Sequence, residues 1–262
     1  MDQQITVAKL ALSLMDLTSL TNEEREQDII TLCQQAQSDV GDTAAICIYP
    51  RFISVAKKQL AKQGNKQIKI ATVVNFPEGN SETKSVVKDI IEAIALGADE
   101  IDVVFPYQAL IKGDEQKGFE LVQACKQACG KNILLKVIIE SGELKTEKLI
   151  TKASEISINA GADFIKTSTG KVAINATIAA AKVMVNVIKN TNPNIGLKIA
   201  GGVKDIVDVQ AYLSLVMDTL GASWLNARHF RFGASGLLSH LLSTINKTEN
   251  ETNNPVQKNS NY

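Results

Sequence analysis

Residues 68–106 read IKIATVVNFPEGNSETKSVVKDIIEAIALGADEIDVVFP, and this stretch holds the pattern that decides the fold. IKIATVVNF (68–76) and EIDVVFP (100–106) are short β-branched runs with little alternation, as expected of strands covered on both faces. Between them, SETKSVVKDIIEAIALGA places Val87, Ile90, Ile91, Ile94 and Ala95 at helical spacing and stops at Gly97, the residue type that most readily takes the left-handed turn ending a helix. Strand, helix and strand in succession make a βα crossover unit, which lays its two strands parallel.

The same unit extends in both directions. LMDLTSL (14–20), AAICIYP (44–50), ILLKVIIE (133–140), DFIKTST (163–169), IGLKIAGG (195–202) and RHFRFGAS (228–235) bring the strand candidates to eight, with centres 26 to 34 residues apart. TEKLITKASEISINAGA, with Leu149, Ala153, Ile156 and Ala160 closed by Gly161, and DIVDVQAYLSLVMDTLGA repeat the helical pattern. Eight such units in about 250 residues predict an α/β fold of the (β/α)8 TIM-barrel class. A doubly wound open sheet is the alternative, weakened in its dinucleotide-binding form because no GxGxxG follows the first strand. No Pro/Gly/Ser-rich linker interrupts residues 1–246, so one domain is expected there. KTENETNNPVQKNSNY (247–262) reads as a polar, flexible tail ending in Tyr262.

Composition narrows the function. The 262 residues carry 28 Lys plus Arg and 28 Asp plus Glu, so the net charge is zero and the field that gathers nucleic acid or anionic lipid is missing. No apolar run approaches the roughly 18 residues that span a bilayer, and Lys9 and Ser13 break up Val7–Met15, so neither a membrane span nor a leader is expected and the protein reads as cytoplasmic. Cys33, Cys47, Cys125 and Cys129 form no Cys-x-x-Cys pair and read as reduced thiols; Cys125 and Cys129, one turn apart, fit a buried helix face better than a metal half-site. With only His229 and His240 and no HExxH, no metal site and no cofactor is expected. The Asn246-Lys-Thr and Asn250-Glu-Thr sequons are idle without a secretory signal.

The chemistry is expected where the strands carry charge. A buried strand tolerates an ionisable residue only when that residue is paired or sits in a wet mouth. Asp16, Asp102, Lys136, Lys166 and Lys198 each stand among apolar neighbours, which points to one shared polar centre; Lys69, at the start of its strand, reads instead as a solvated strand end. Lys166 and Lys198 fall on neighbouring strands about 4.8 Å apart. Two ammonium groups within about 6 Å repel by roughly 3 kcal/mol at an effective dielectric near 20, about two pKa units, enough to bring one lysine toward 8. Such an amine attacks aldehydes and forms an iminium, an electron sink for carbon–carbon bond cleavage. Asp102 supplies a carboxylate for proton movement. These residues alone do not choose Lys166 over Lys198 or Lys136.

Three neighbouring loops suggest phosphate capture. Thr169-Gly170-Lys171 follows the sixth run, Gly201-Gly202-Val203-Lys204 the seventh, and Gly233-Ala234-Ser235-Gly236 the eighth, opening the apolar helix LLSHLLSTI. Glycines admit backbone N–H groups to an anion, and a helix N-terminus favours it. STGK is not a Walker A motif, since Val172 follows Lys171.

In order along the chain, LMDLTSL, GDTAAICIYPRFI, IATVVNFPEGN, GADEIDVVFPY, LLKVIIESGEL, GADFIKTSTGK, GLKIAGGV and RFGAS resemble the deoxyribose-phosphate aldolase family of class I aldolases, over about residues 10–245. The resemblance implies reversible cleavage of 2-deoxy-D-ribose 5-phosphate to D-glyceraldehyde 3-phosphate and acetaldehyde in deoxyribonucleotide catabolism, without a cofactor. It makes Lys166 the Schiff-base lysine, Lys198 its perturbing neighbour and Asp102 part of a proton relay acting through water. Thr169, Gly170, Lys171, Gly201, Gly202, Gly233 and Ser235 match the substrate and phosphate stretches, and Gly236 stands in the last phosphate loop as a further substrate-binding candidate. Lys136 matches the polar network, and Asp16, Thr18 and Cys47 match positions near the substrate, although Cys47 fits a buried apolar thiol equally well. Tyr262 matches a terminal tyrosine that in some members folds over the site. Monomer and homodimer stay open, the resemblance favouring a homodimer.

Ile199, Lys204 and Gly236 depart from the family pattern of proline, arginine and serine, and bear on phosphate affinity because lysine is a point charge where arginine is a fork. Two other functions use the same loops: a sugar-phosphate isomerase or epimerase working through Asp102 and Glu140, and a non-catalytic phosphometabolite-binding barrel.

Overall fold

A computed structural model describes the backbone of residues 3–252 and side chains through residue 246. Tyr262 and the rest of 253–262 lie outside the described residues. Eight strands form the core: β1 Met15–Thr18, β2 Ala45–Ile48, β3 Lys69–Val74, β4 Glu100–Val104, β5 Leu134–Ile138, β6 Phe164–Lys166, β7 Gly196–Ala200 and β8 Phe230–Ala234. Each pairs in parallel with the next, and β1 pairs with both β2 and β8, so the sheet closes. That closure selects the (β/α)8 barrel over the open sheet. A two-stranded antiparallel ribbon, Gln37–Ser38 with Gly41–Asp42, is the one addition to the expected strands among the described residues.

Register decides which side chains meet. Asp102 stands opposite Lys136, Ile138 opposite Lys166, Lys166 opposite Lys198, and Lys198 opposite Arg231. Lys166 and Lys198 therefore share a level in the barrel, and Lys136 lies two residues lower on β5 than the partner of Lys166. Lys69 is exposed at the start of β3, as its position suggested.

The helices cover the outside. Thr83–Leu96 ends on Gly97 at φ 110°, the left-handed cap read from the sequence. Its buried stripe is Val86, Ile90 and Ala93, which leaves Ile91 55% exposed, so the apolar face is rotated by about one residue from the Val87/Ile91 reading. Periodicity locates a helix more firmly than its phase when apolar residues fill adjacent positions. Cys125 and Cys129 lie buried on Glu115–Cys129, and burial pushes both thiols up to about 12. The helix Leu237–Thr252 continues past residue 246, through the first six residues read as tail. Among the described residues no helix is long and apolar enough to cross a membrane.

Candidate active site

The five charged strand residues converge. Asp102, on β4, is the hub: its Oδ1 accepts from Lys136 Nζ at 2.7 Å, and its Oδ2 accepts from both Lys166 Nζ and Lys198 Nζ at 2.8 Å. Two ammonium nitrogens on one oxygen lie within about 6 Å of each other, as strand pairing predicted. Asp16, on β1, takes Lys198 Nζ at 2.5 Å on Oδ2, with Lys136 Nζ at 3.5 Å from the same oxygen.

Two further members, Glu100 and Arg231, were missed in the sequence. Arg231 Nη1 donates to Asp16 Oδ1 at 2.6 Å and Nη2 to Glu100 Oε1 at 2.8 Å, while Lys136 Nζ lies 2.6 Å from Glu100 Oε2. Both stand near strand starts, where charge reads as solvated. A period-two reading would have placed Glu100 on the same face as Asp102, since alternate residues point the same way.

The environment separates the three lysines. Burial alone would lower Lys198, but Asp102 and Asp16 outweigh it and hold this ammonium above the ordinary lysine range. Lys136 is likewise raised despite burial, by Asp102, Glu100 and Asp16. Lys166 is lowered: burial is the larger cause, Lys198 adds to it, and Asp102 opposes both. The repulsion expected from Lys198 is thus present but secondary to desolvation. Asp102 resists the upward push of burial, because Lys136, Lys166 and Lys198 together hold its carboxyl well below the usual range.

Above this layer opens a cavity of about 560 Å³. Lys166 reaches it; Asp102, Lys136 and Lys198, each wholly buried, do not line it. The Lys198 stem passes beneath β8, where a Cβ at Gly233 would stand 2.9 Å from Lys198 Cε. Thr18, Thr169, Gly170, Lys171, Gly201, Gly202, Gly233, Ser235 and Gly236 all line the cavity, together with Lys204 and His240. Asp16 and Cys47, expected near the substrate, lie fully buried behind the wall, Cys47 in a small apolar cluster with Leu20, Ala71 and Val73. Height does not separate them from the cavity, since Asp16 pairs with Gly233 and Cys47 with Thr18, both of which line it; the Asp16 carboxylate is instead taken up by Lys198 and Arg231, and Cys47 packs among its apolar neighbours.

The loops are braced for close approach. Thr167 Oγ1 donates to Ala200 O at 3.2 Å and accepts from Ala200 N at 2.9 Å, tying the end of β6 to the turn that follows β7. That turn needs glycine at 201, where φ is 80° and a Cβ would press within 2.7 Å of Asn175 Cβ. Leu237 and His240, from the first turn of the last helix, also line the cavity, so this helix N-terminus meets it. Glu140 turns away: its carboxylate accepts from Thr169 N at 3.2 Å, and burial raises its pKa. Among the described residues no group of three or more His, Cys, Asp or Glu is placed to hold a metal ion.

Comparison with known proteins places this arrangement. The sequence profile of the DeoC/LacD family of aldolases matches residues 10–241. A candidate deoxyribose-phosphate aldolase from Coccidioides immitis is 30% identical, with 93% of this chain and 87% of that one covered and a TM-score of 0.77. A candidate deoxyribose-phosphate aldolase from Toxoplasma gondii superposes with a TM-score of 0.86 at 24% identity, covering 93% and 98% of the two chains. The deoxyribose phosphate aldolase of Aeropyrum pernix, described as a unique tetramer, gives 0.75 at 23%, covering 94% and 97%. These last two identities speak for the fold alone. The profile spans most of the sequence and the Coccidioides relative nearly all of it. On that evidence the chain is a member of the DeoC/LacD family of aldolases.

Proposed function

We propose that this aldolase cleaves 2-deoxy-D-ribose 5-phosphate to D-glyceraldehyde 3-phosphate and acetaldehyde through a Schiff base on Lys166, in the breakdown of deoxyribonucleotides. One observation carries the reading: of the three lysines in the ionic layer, Lys166 alone lines the cavity, and it alone has its pKa lowered. A lysine that faces a substrate cavity and whose ammonium form is disfavoured by burial is the nucleophile that iminium chemistry requires.

The open-chain aldehyde condenses with Lys166 and loses water. The C3 hydroxyl gives up its proton, the C2–C3 bond breaks, and its electron pair moves into the iminium to leave an enamine. Protonation at C2 and hydrolysis release acetaldehyde and free the lysine. Asp102 is poorly placed as a direct base, since both its oxygens are occupied and its carboxyl is held low. Its role in this reading is to orient Lys166 and balance the iminium charge, with the C3 proton leaving through water in the cavity. The phosphate sits among Gly170–Lys171, Gly201–Gly202 and Gly233–Gly236, beside the last helix N-terminus. An isomerase using Asp102 and Glu140 finds no support, because neither carboxylate lines the cavity.

The test is reduction with borohydride in the presence of the sugar phosphate, followed by peptide mass spectrometry. An adduct on Lys166 is expected; an unmodified Lys166 in protein that still cleaves the substrate would overturn the reading. Lys171→Ala is expected to raise KM for the phosphorylated sugar about tenfold, roughly 1.4 kcal/mol of lost phosphate binding, while leaving KM for the unphosphorylated sugar unchanged. Steady-state kinetics on the two sugars checks it.

A further inference from the structure

We propose that Arg231 and Glu100 are positioning residues that decide which lysine of the buried layer is left uncharged. The inference rests on the Schiff-base reading of Lys166 and concerns what keeps that amine neutral. The layer holds four cationic side chains, Lys136, Lys166, Lys198 and Arg231, and three carboxylates, Asp16, Glu100 and Asp102, all buried and joined by direct contacts. A charged cluster removed from water is least costly when its charges cancel, so one cation in four is in excess. Arginine does not give up its proton, so the excess falls on a lysine.

Contacts select which one. Lys136 touches three carboxylates, Lys198 two and Lys166 one. Lys166 therefore loses least on becoming neutral. Arg231 supplies the permanent charge that creates the excess, and it bridges Asp16 and Glu100 without touching Lys166. Glu100 in turn holds Lys136 at 2.6 Å, keeping that lysine out of contention. The other titratable groups around Lys166 are Cys47, from β2, and Glu140, after β5, whose carboxylate is engaged by Thr169 N–H, while Lys171, Lys204 and His240 line the cavity that Lys166 reaches and are left unchanged in every variant below. The neighbouring β3 faces add Ala71 and Val73, which carry no charge.

The experiment measures borohydride trapping at Lys166 against pH in the wild type, Arg231→Met, Glu100→Gln and the double variant, with folding checked by circular dichroism. Removing the arginine leaves three cations against three carboxylates, and the trapping midpoint is expected to rise by about one pH unit. Removing the Glu100 charge increases the excess, and the midpoint is expected to fall by a similar amount. The double variant restores an excess of one and should return to within a few tenths of a unit of wild type. A merely structural pair would weaken trapping in both single variants without opposite shifts. Midpoints that move together, or stay fixed while Lys166 is still labelled, overturn the inference and leave the Schiff-base reading standing. If Arg231→Met does not fold, Glu100→Gln decides alone: a downward shift supports the proposal and any other result overturns it. A wild-type protein that cleaves the sugar without labelling Lys166 overturns the functional reading instead.

Discussion

Lys166→Leu is expected to abolish the borohydride adduct and to lower kcat by about four orders of magnitude or more, the scale on which loss of a covalent nucleophile is felt. The fold should survive the change. Leucine at this position leaves Lys136, Lys198 and Arg231 facing Asp16, Glu100 and Asp102, a balanced set, and a similar volume still fills the space above Asp102. A melting temperature at or slightly above wild type, together with a dead enzyme, is the expected pair of results. Cleavage retained at more than about a hundredth of the wild-type rate would remove Lys166 from the mechanism.

Asp102→Ala is expected to have the largest effect on stability. Asp102 is the common acceptor of three buried lysine side chains, and its loss leaves those lysines and Arg231 with two carboxylates. Removing one partner from a buried ionic cluster costs about 3–5 kcal/mol. For a chain of this size that is a fall in Tm on the order of 10 °C, measurable by thermal melting, alongside loss of activity. The pH dependence follows from the sign of its shift. The carboxyl is lowered in the folded state, so its contribution is fully present above the unfolded value near 4 and is lost as pH falls toward the folded one. The wild type's advantage over the variant should therefore begin to shrink below about pH 4, and the gap between their urea melts should be smaller at pH 3 than at pH 7. An undiminished gap at pH 3 would mean that the penalty is one of packing.

Much of this molecule can be read without coordinates. Eight apolar runs at a nearly constant interval give the barrel because burial on both faces leaves strands no alternation, and several helices stop at a glycine, such as Gly97, Gly130 and Gly221. Asp16, Asp102, Lys136, Lys166 and Lys198 stand out because charge inside such a run must be matched by something. What could not be read is height along the barrel axis. Lys136, Lys166 and Lys198 look alike in sequence; register sets Lys136 lower in the barrel, while Lys166 and Lys198 share a level and differ only in their surroundings, Lys198 packing against β8 at Gly233. Glu100 and Arg231 escaped notice because a charge near a strand start has a bland explanation, solvation, which closure of the barrel removes. The cavity-lining loop residues were legible as a group, from glycine clusters after successive strands, whereas Asp16 and Cys47, which the resemblance puts near the substrate, are fully buried and do not line the cavity.

The ionic layer joins residues far apart in the chain: Lys198 reaches Asp16 across 182 positions, and Arg231 reaches the same carboxylate across 215. During synthesis the first strand must therefore wait, with its acid still hydrated, until nearly the whole polypeptide has left the ribosome. A fragment that ends before residue 231 lacks Arg231, so the ionic layer is completed only when the last strand seals the ring.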